Sequence, residues 1–178
     1  MRLDPGFTLA EVLVALLVVA VGLAGAAALQ AAALRSGREA AHMGDGVQLA
    51  AALAERMRAN PAVMARPDAA NPYLQFDYDT TAGAPDEADA CYGDEACDAD
   101  QLARFDLMES AQALATRFPG GRIVACRGLP APDPASGLPS WTCGGQPDGP
   151  VAIKLGWRER AGEAVTPKVL LTLGGGAP

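Results

Sequence analysis

Gly6 to Leu29 reads GFTLAEVLVALLVVAVGLAGAAAL, and its one charged residue, Glu11, heads an apolar run in which no further charge occurs until Arg35. A carboxylate at the centre of a bilayer costs about 2.5 to 3.5 kcal/mol on insertion scales, so its place beside Val12, Leu13 and Val14 requires a reason. From Val12 to Leu29 every residue is apolar or glycine. With Phe7 and Leu9 included, the stretch makes about one bilayer thickness of helix at a rise of about 1.5 Å per residue. The competing reading is a secretory signal peptide, with Arg2 as the positive end and small-residue cleavage options at Ala24-Gly25-Ala26 or Ala26-Ala27-Ala28.

Two features oppose that competitor. An acidic residue inside the apolar stretch is a poor choice for a simple targeting signal, and the helical pattern does not stop where a signal peptide would end. Beyond Leu34 the chain turns amphipathic. Leu49, Leu53 and Met57 form one stripe with Met43, Val47, Ala50 and Ala54 alongside, and Arg35, Arg38, Glu39, Glu55 and Arg56 make the polar side. No proline intervenes before Pro61, which disfavours a helical Asn60 and marks the stop. The pattern predicts one helix from Phe7 to about Asn60, roughly 80 Å long at the standard rise. A domain of this size cannot bury it. The first half, 7–34, therefore belongs in lipid or against other chains, and the second, 35–60, packs on a domain of its own. Gly22, Gly25, Gly44 and Gly46 are the expected points of bending, since each costs about 1 kcal/mol against alanine in a helix interior.

The composition bounds the rest. The 178 residues are 50% hydrophobic and 20% charged, which fits a folded chain, but aromatics are only 5%, so the core is small and needs cross-links or partners. A net charge of −7 with no basic patch excludes nucleic acid as a partner and gives no sign of binding to anionic lipid headgroups. The four cysteines, Cys91, Cys97, Cys126 and Cys143, lie in the second half behind a hydrophobic N-terminus, which favours disulfides outside the cytosol. Intervals of five and sixteen intervening residues, with His42 far upstream, do not suit a zinc site.

Gly6, Phe7, Thr8, Leu9, Ala10 and Glu11, followed by the apolar helix, resemble the class III signal of type IV pilins and pseudopilins. The resemblance implies that a prepilin peptidase cuts between Gly6 and Phe7 on the cytoplasmic side, removes the leader 1–6, and methylates the new amine of Phe7. The apolar helix is then kept. It also implies that Glu11 pairs with the Phe7 amine of a neighbouring subunit during assembly, removing an uncompensated charge from the filament core. A physical point agrees, because in the mature chain Glu11 lies one turn from a helix N-terminus, where the macrodipole and an amine at i, i+4 both favour a carboxylate. The leader departs from the pattern in carrying Asp4 and a single basic residue, Arg2, which weakens its orientation signal.

Residues 62–98 contain Pro67, Pro72, Pro85 and Gly83 among acidic and small residues and read as a long loop with one short strand around Tyr73 to Tyr78. Asp98 or Asp100 then caps a second helix of about five turns, with Leu102, Phe105, Met108 and Leu114 as its apolar stripe and Pro119-Gly120-Gly121 as its stop. Strands follow at Arg122 to Arg127, Val151 to Trp157 and Lys168 to Leu173, the second alternating Val151, Ile153, Leu155 and Trp157 on one face. The fold class is α+β: a long N-terminal helix packed on a C-terminal antiparallel sheet, with a second short helix, as in pilins. Met43 to Met57 is the expected cover of the sheet.

The stretch from Cys91 to Cys126 is similar to the PilV-type minor pilins, through the cysteine loop Cys91 to Cys97, Leu102-Ala103 with Asp106, Pro119-Gly120-Gly121, and Cys126. IKLGWRER fits that family's late strand. Of the three connectivities open to four cysteines, Cys91 with Cys97 and Cys126 with Cys143 is favoured because short loops close with least entropy.

No enzymatic chemistry stands out. Seven carboxylates between Asp86 and Asp100 suit a solvated acidic loop better than a calcium site, since their spacing fits no EF-hand. His42 has no nucleophile at helix spacing, Ser36, Ser110, Ser136 and Ser140 lie in no nucleophile elbow, and the terminal GGGAP opens no helix that could cradle phosphate. No cofactor is expected. The sequence reads as a structural protein: a minor pilin held in the inner membrane with its globular region, 61–178, in the periplasm until it joins the major pilin and other minor pilins at a pilus tip and helps prime assembly. The alternatives are a minor pseudopilin of a type II secretion system and a secreted periplasmic enzyme or binding protein.

Overall fold

A computed structural model describes residues 6, 8–88, 90–92, 96–134, 137–146, 148–159 and 162–174. The expected helix start at Phe7 lies outside them, as do leader residues 1–5, Ser136, three of the seven loop carboxylates (Asp89, Asp94 and Glu95) and the end of GGGAP. The chain divides into two compact units, Met1–His42 and Met43–Pro178.

Helix α1 runs Leu9–Ala59, and its residues up to His42 belong to the first unit. Every described side chain of that unit is exposed, the apolar ones from Leu9 to Leu34 included. The helix is long and apolar enough to cross a membrane. It passes through Gly22, Gly25, Gly44 and Gly46 without interruption, so none of the four breaks the helix.

In the second unit the last turns of α1 bury Gly46, Leu49, Ala50, Leu53, Ala54 and Met57. Met43 and Val47, expected on the packing face, are instead 41% and 44% exposed. The buried stripe begins at Gly46 because Trp157 lies there. A Cβ on Gly46 would stand 2.9 Å from Trp157 Cζ3 and 3.3 Å from Val169 Cγ2, so glycine marks a close approach rather than a bend. Pro61 ends α1, as a residue without an amide proton must, and starts the single turn α2 (Pro61–Met64).

The expected long loop is more ordered than its composition suggests. Short 3-10 turns occupy Asp68–Ala70 and Pro72–Gln75, and strand β1 (Asp77–Asp79) follows at the end of the segment where a strand was expected. Helix α3 (Ala99–Arg117) opens on Asp98, whose side chain accepts from the amides of Asp100 and Gln101 while the Gln101 side chain accepts from the Asp98 amide, a complete capping box. Its buried face holds Ala103, Phe105, Asp106, Ser110, Ala111 and Leu114, whereas Leu102 and Met108 of the expected stripe are only half-buried.

Strands β2 (Arg122–Arg127), β3 (Val151–Gly156) and β4 (Val169–Leu173) complete an antiparallel sheet in the order β1-β2-β3-β4. The register pairs Ile123 with Leu155, Ala125 with Ile153, and Ile153 with Leu171. These residues join the core that contains Leu49, Leu53 and Met57. A one-sided sheet would leave alternate β3 residues in water, but all six are buried. The second face carries Ala152 and Lys154 beneath the connection from β2 to β3. Lys154 is fully buried, and its Nζ donates to the carbonyl oxygens of Trp141, at 3.0 Å, and Thr142. Burial, with the Arg122 charge adding to it, holds the Lys154 ammonium below its ordinary range.

Candidate functional site at the head of the long helix

The first turn of α1 is fixed by Thr8 and Glu11. The Thr8 amide and hydroxyl both donate to Glu11 Oε2, at 2.8 and 2.9 Å, and the Glu11 amide donates back to Thr8 Oγ1 at 3.3 Å. This is a capping box, in which two amides at the helix start find side-chain acceptors. The Thr8 carbonyl accepts from the Val12 amide at 3.3 Å, so Thr8 stands at the helix's entrance. Its signature, threonine with glutamate three positions on, lies in Thr8-Leu9-Ala10-Glu11 and identifies Thr8 as a partner that the spacing from Phe7 to Glu11 did not reveal.

Glu11 lies beside Val12, Ala15, Leu16 and Val19, an apolar setting in which an ionised carboxylate needs partners. Thr8 supplies two hydrogen bonds to one oxygen, and an ionised carboxylate has about four lone-pair sites, so capacity for a cationic donor remains. Gly6 is exposed immediately upstream. Phe7, the other half of the expected contact, lies outside the described residues.

The cysteines are placed well away in sequence, in the second unit. Cys91 bonds to Cys97 and Cys126 to Cys143. The second bridge ties the β2–β3 connection to β2, over the sheet face that carries Lys154. Trp141 of that connection donates from Nε1 to the Val165 carbonyl at 2.8 Å and lies 4.9 Å beneath the Arg122 guanidinium.

A buried polar cluster fastens the end of α1 to its neighbours. Asp106 Oδ2 accepts from the Tyr73 hydroxyl at 2.6 Å, and its Oδ1 lies 3.4 Å from Arg56 Nη1, while Arg56 Nη2 pairs with Glu109 at 2.6 Å. Asn60 Nδ2 donates to the Ala99 carbonyl at 2.7 Å. Burial, then the Asp106 carboxylate beside it, push the Tyr73 phenol well above its usual range. Helical periodicity marks Asp106 as a polar residue on an apolar face and says nothing of Tyr73, more than thirty residues earlier in the chain.

The remaining polar candidates have structural employment. Asp98 caps α3, and Asp100 receives a two-pronged hydrogen bond from Arg66, at 2.6 and 2.8 Å, which holds its carboxyl below the usual range. His42 is exposed on α1. Among the described residues no group of three His, Cys, Asp or Glu side chains is placed to hold a metal ion.

Two family models match the chain. One, described as a prokaryotic N-terminal methylation motif, covers residues 1–27, and the other, described as type IV pilin Tt1218, covers residues 28–108. Comparison with curated proteins and with solved structures gives no significant match.

Proposed function

The chain belongs to the type IV pilin family, and from that premise we propose that it is a PilV-type minor pilin that joins the tip complex from which a pilus is primed. The family points to a structural, non-enzymatic role, to processing by a prepilin peptidase, and to assembly with other pilins. In the proposed course the peptidase removes residues 1–6 and methylates the amine of Phe7. Apolar residues 7–34 then hold the subunit in the inner membrane, and residues 61–178 face the periplasm.

The observation that carries this reading is the Thr8–Glu11 box opening an uninterrupted helix whose stretch up to Leu34 is exposed and predominantly apolar. While the subunit waits in lipid, Thr8 and the helix N-terminus satisfy the Glu11 carboxylate from within its own chain. On assembly the same carboxylate accepts the methylated Phe7 amine of a neighbour. In an apolar filament core such a pair forms a charge-assisted contact with little competition from water. A membrane-held monomer thereby becomes a subunit selected by one charge pair.

The test is incorporation. Glu11→Ala should be cleaved and methylated like the unaltered chain yet be absent from sheared pili, and normal incorporation would overturn the pairing role. Recovery of the chain with secretion-system pseudopilins and not with pilins would assign it to a type II secretion system instead.

A further inference from the structure

A cleft of about 500 Å³ opens in the second unit between α3 and the β1 edge of the sheet. That volume lies within the range of pockets that take small ligands or a few side chains of a peptide, about 300 to 1,000 Å³. Its apolar lining comes from Phe76, Leu107, Met108 and Ala111. Met108, part of the stripe expected to face the core, is only half-buried and lines the opening instead, while Leu107 and Phe76 line it and also pack against the core. The far wall is 85–88, where Pro85 and Ala88 are half-buried and Asp86 and Glu87 stand exposed. The approach to that wall is tied down: the Tyr78 hydroxyl donates to the Gly83 carbonyl at 2.9 Å, and the Thr81 amide and hydroxyl donate to Asp79 Oδ1 at 2.8 and 2.6 Å.

The charges at the cleft are of unequal standing. Asp77 is engaged by Arg122 through two hydrogen bonds, at 2.9 and 2.6 Å. Arg104, at the α3 side, is coupled to Asp100, whose carboxyl it helps to hold down. Among the described residues neither Asp86, Glu87 nor Arg104 makes an ion pair, so two carboxylates against one guanidinium leave the rim net negative. An apolar floor beneath two carboxylates is complementary to a side chain with an apolar stem and a cationic head, or to such a residue beside an apolar one. The chain's net charge of −7 draws a cationic partner from a distance and repels nucleic acid or an anionic lipid surface.

We propose that this cleft is a docking site for a lysine- or arginine-bearing apolar segment of a partner protein. Floor residues of α3 and Phe76 receive the apolar stems, and Asp86 and Glu87 receive the charge. The proposal rests on the second unit alone and is independent of the assembly role of Glu11.

The experiment uses the full chain in a neutral detergent with its methionine methyl groups labelled with carbon-13, titrated with acetyl-Leu-Lys-Leu-Lys-amide and, in parallel, acetyl-Leu-Glu-Leu-Glu-amide. The Met108 methyl reports on the cleft, and the fully buried Met57 methyl reports on the core. The Met108 signal should shift saturably with the lysine peptide, hold still with the glutamate peptide, and respond less as salt is raised. The double variant Asp86→Asn, Glu87→Gln should weaken binding by about three- to tenfold, as loss of two exposed charge contacts implies, with Met57 unmoved. A Met108 signal that ignores the lysine peptide, answers both peptides alike, or is indifferent to the double variant overturns the proposal. Equal binding of cadaverine and the lysine peptide would also overturn it, because a free amine would then be the ligand.

Discussion

Thr8 and Glu11 are bonded to each other in both directions: the Thr8 amide and hydroxyl donate to the Glu11 carboxylate, and the Glu11 amide donates to the Thr8 hydroxyl. A carboxylate engaged in this way is part of the helix start within its own chain. Removing the threonine hydroxyl should therefore loosen the first turn, by about 0.5 to 2 kcal/mol for a lost N-cap. Thr8→Val should speed amide exchange of residues 9–12 in micelles by about three- to thirtyfold, on the scale of 1.4 kcal/mol per decade. Thr8→Ser, which keeps the hydroxyl, should leave exchange near the unaltered rate.

Gly44 and Gly46 are two residues apart on α1 and should respond oppositely to alanine. Nothing lies within 4 Å of a Cβ built on Gly44, so Gly44→Ala should stabilise the second unit by up to about 1 kcal/mol. At Gly46 the new methyl meets the Trp157 ring at 2.9 Å, and overpacking of that kind costs about 1 to 3 kcal/mol. Urea unfolding of the two variants checks the sign of each.

Tyr73→Phe leaves Asp106 Oδ2 without its 2.6 Å donor while keeping the ring in the core. The loss of a buried hydrogen bond to a charged group should lower stability by about 1.5 to 3 kcal/mol. Asp106→Asn retains the shape but loses the charge that faces Arg56, and thermal unfolding should place it between Tyr73→Phe and the unaltered chain.

The chain has two lysines, Lys154 and Lys168, and their reactivity reports on the loop tied down by Cys126 and Cys143. Lys154 is fully buried and bonded to two carbonyls of that loop. A water-soluble acylating reagent should modify Lys168 in the oxidised chain and reach Lys154 only after reduction or in Cys126→Ser, Cys143→Ser. Loss of this bridge should cost about 3 kcal/mol, the chain-entropy value for a loop of such length.

Much of this architecture was legible in the sequence because it rests on strong periodic signals. The apolar run fixed the long helix, Pro61 fixed its end, and strands β2 to β4 fell within a residue or so of their apolar runs. Two kinds of feature were not. Burial of β3 on both faces depends on a proline-rich connection whose fold no local pattern dictates. Lys154 consequently reads as a solvent-facing residue although it is buried. The polar cluster is the second kind, since Tyr73 and Asp106 meet across more than thirty residues and neither carries a local mark of the other. The Thr8–Glu11 box carries a capping signature in the sequence, whereas the pairing of Glu11 with Phe7 is implied only by the resemblance to the pilin signal.

The most direct measurement is the N-terminal sequence and mass of the chain recovered from membranes. The pilin account predicts a mature chain that begins at N-methylated Phe7 and retains Glu11 and the whole apolar helix. A chain that begins near Ala27 or later, with Glu11 discarded, would contradict it.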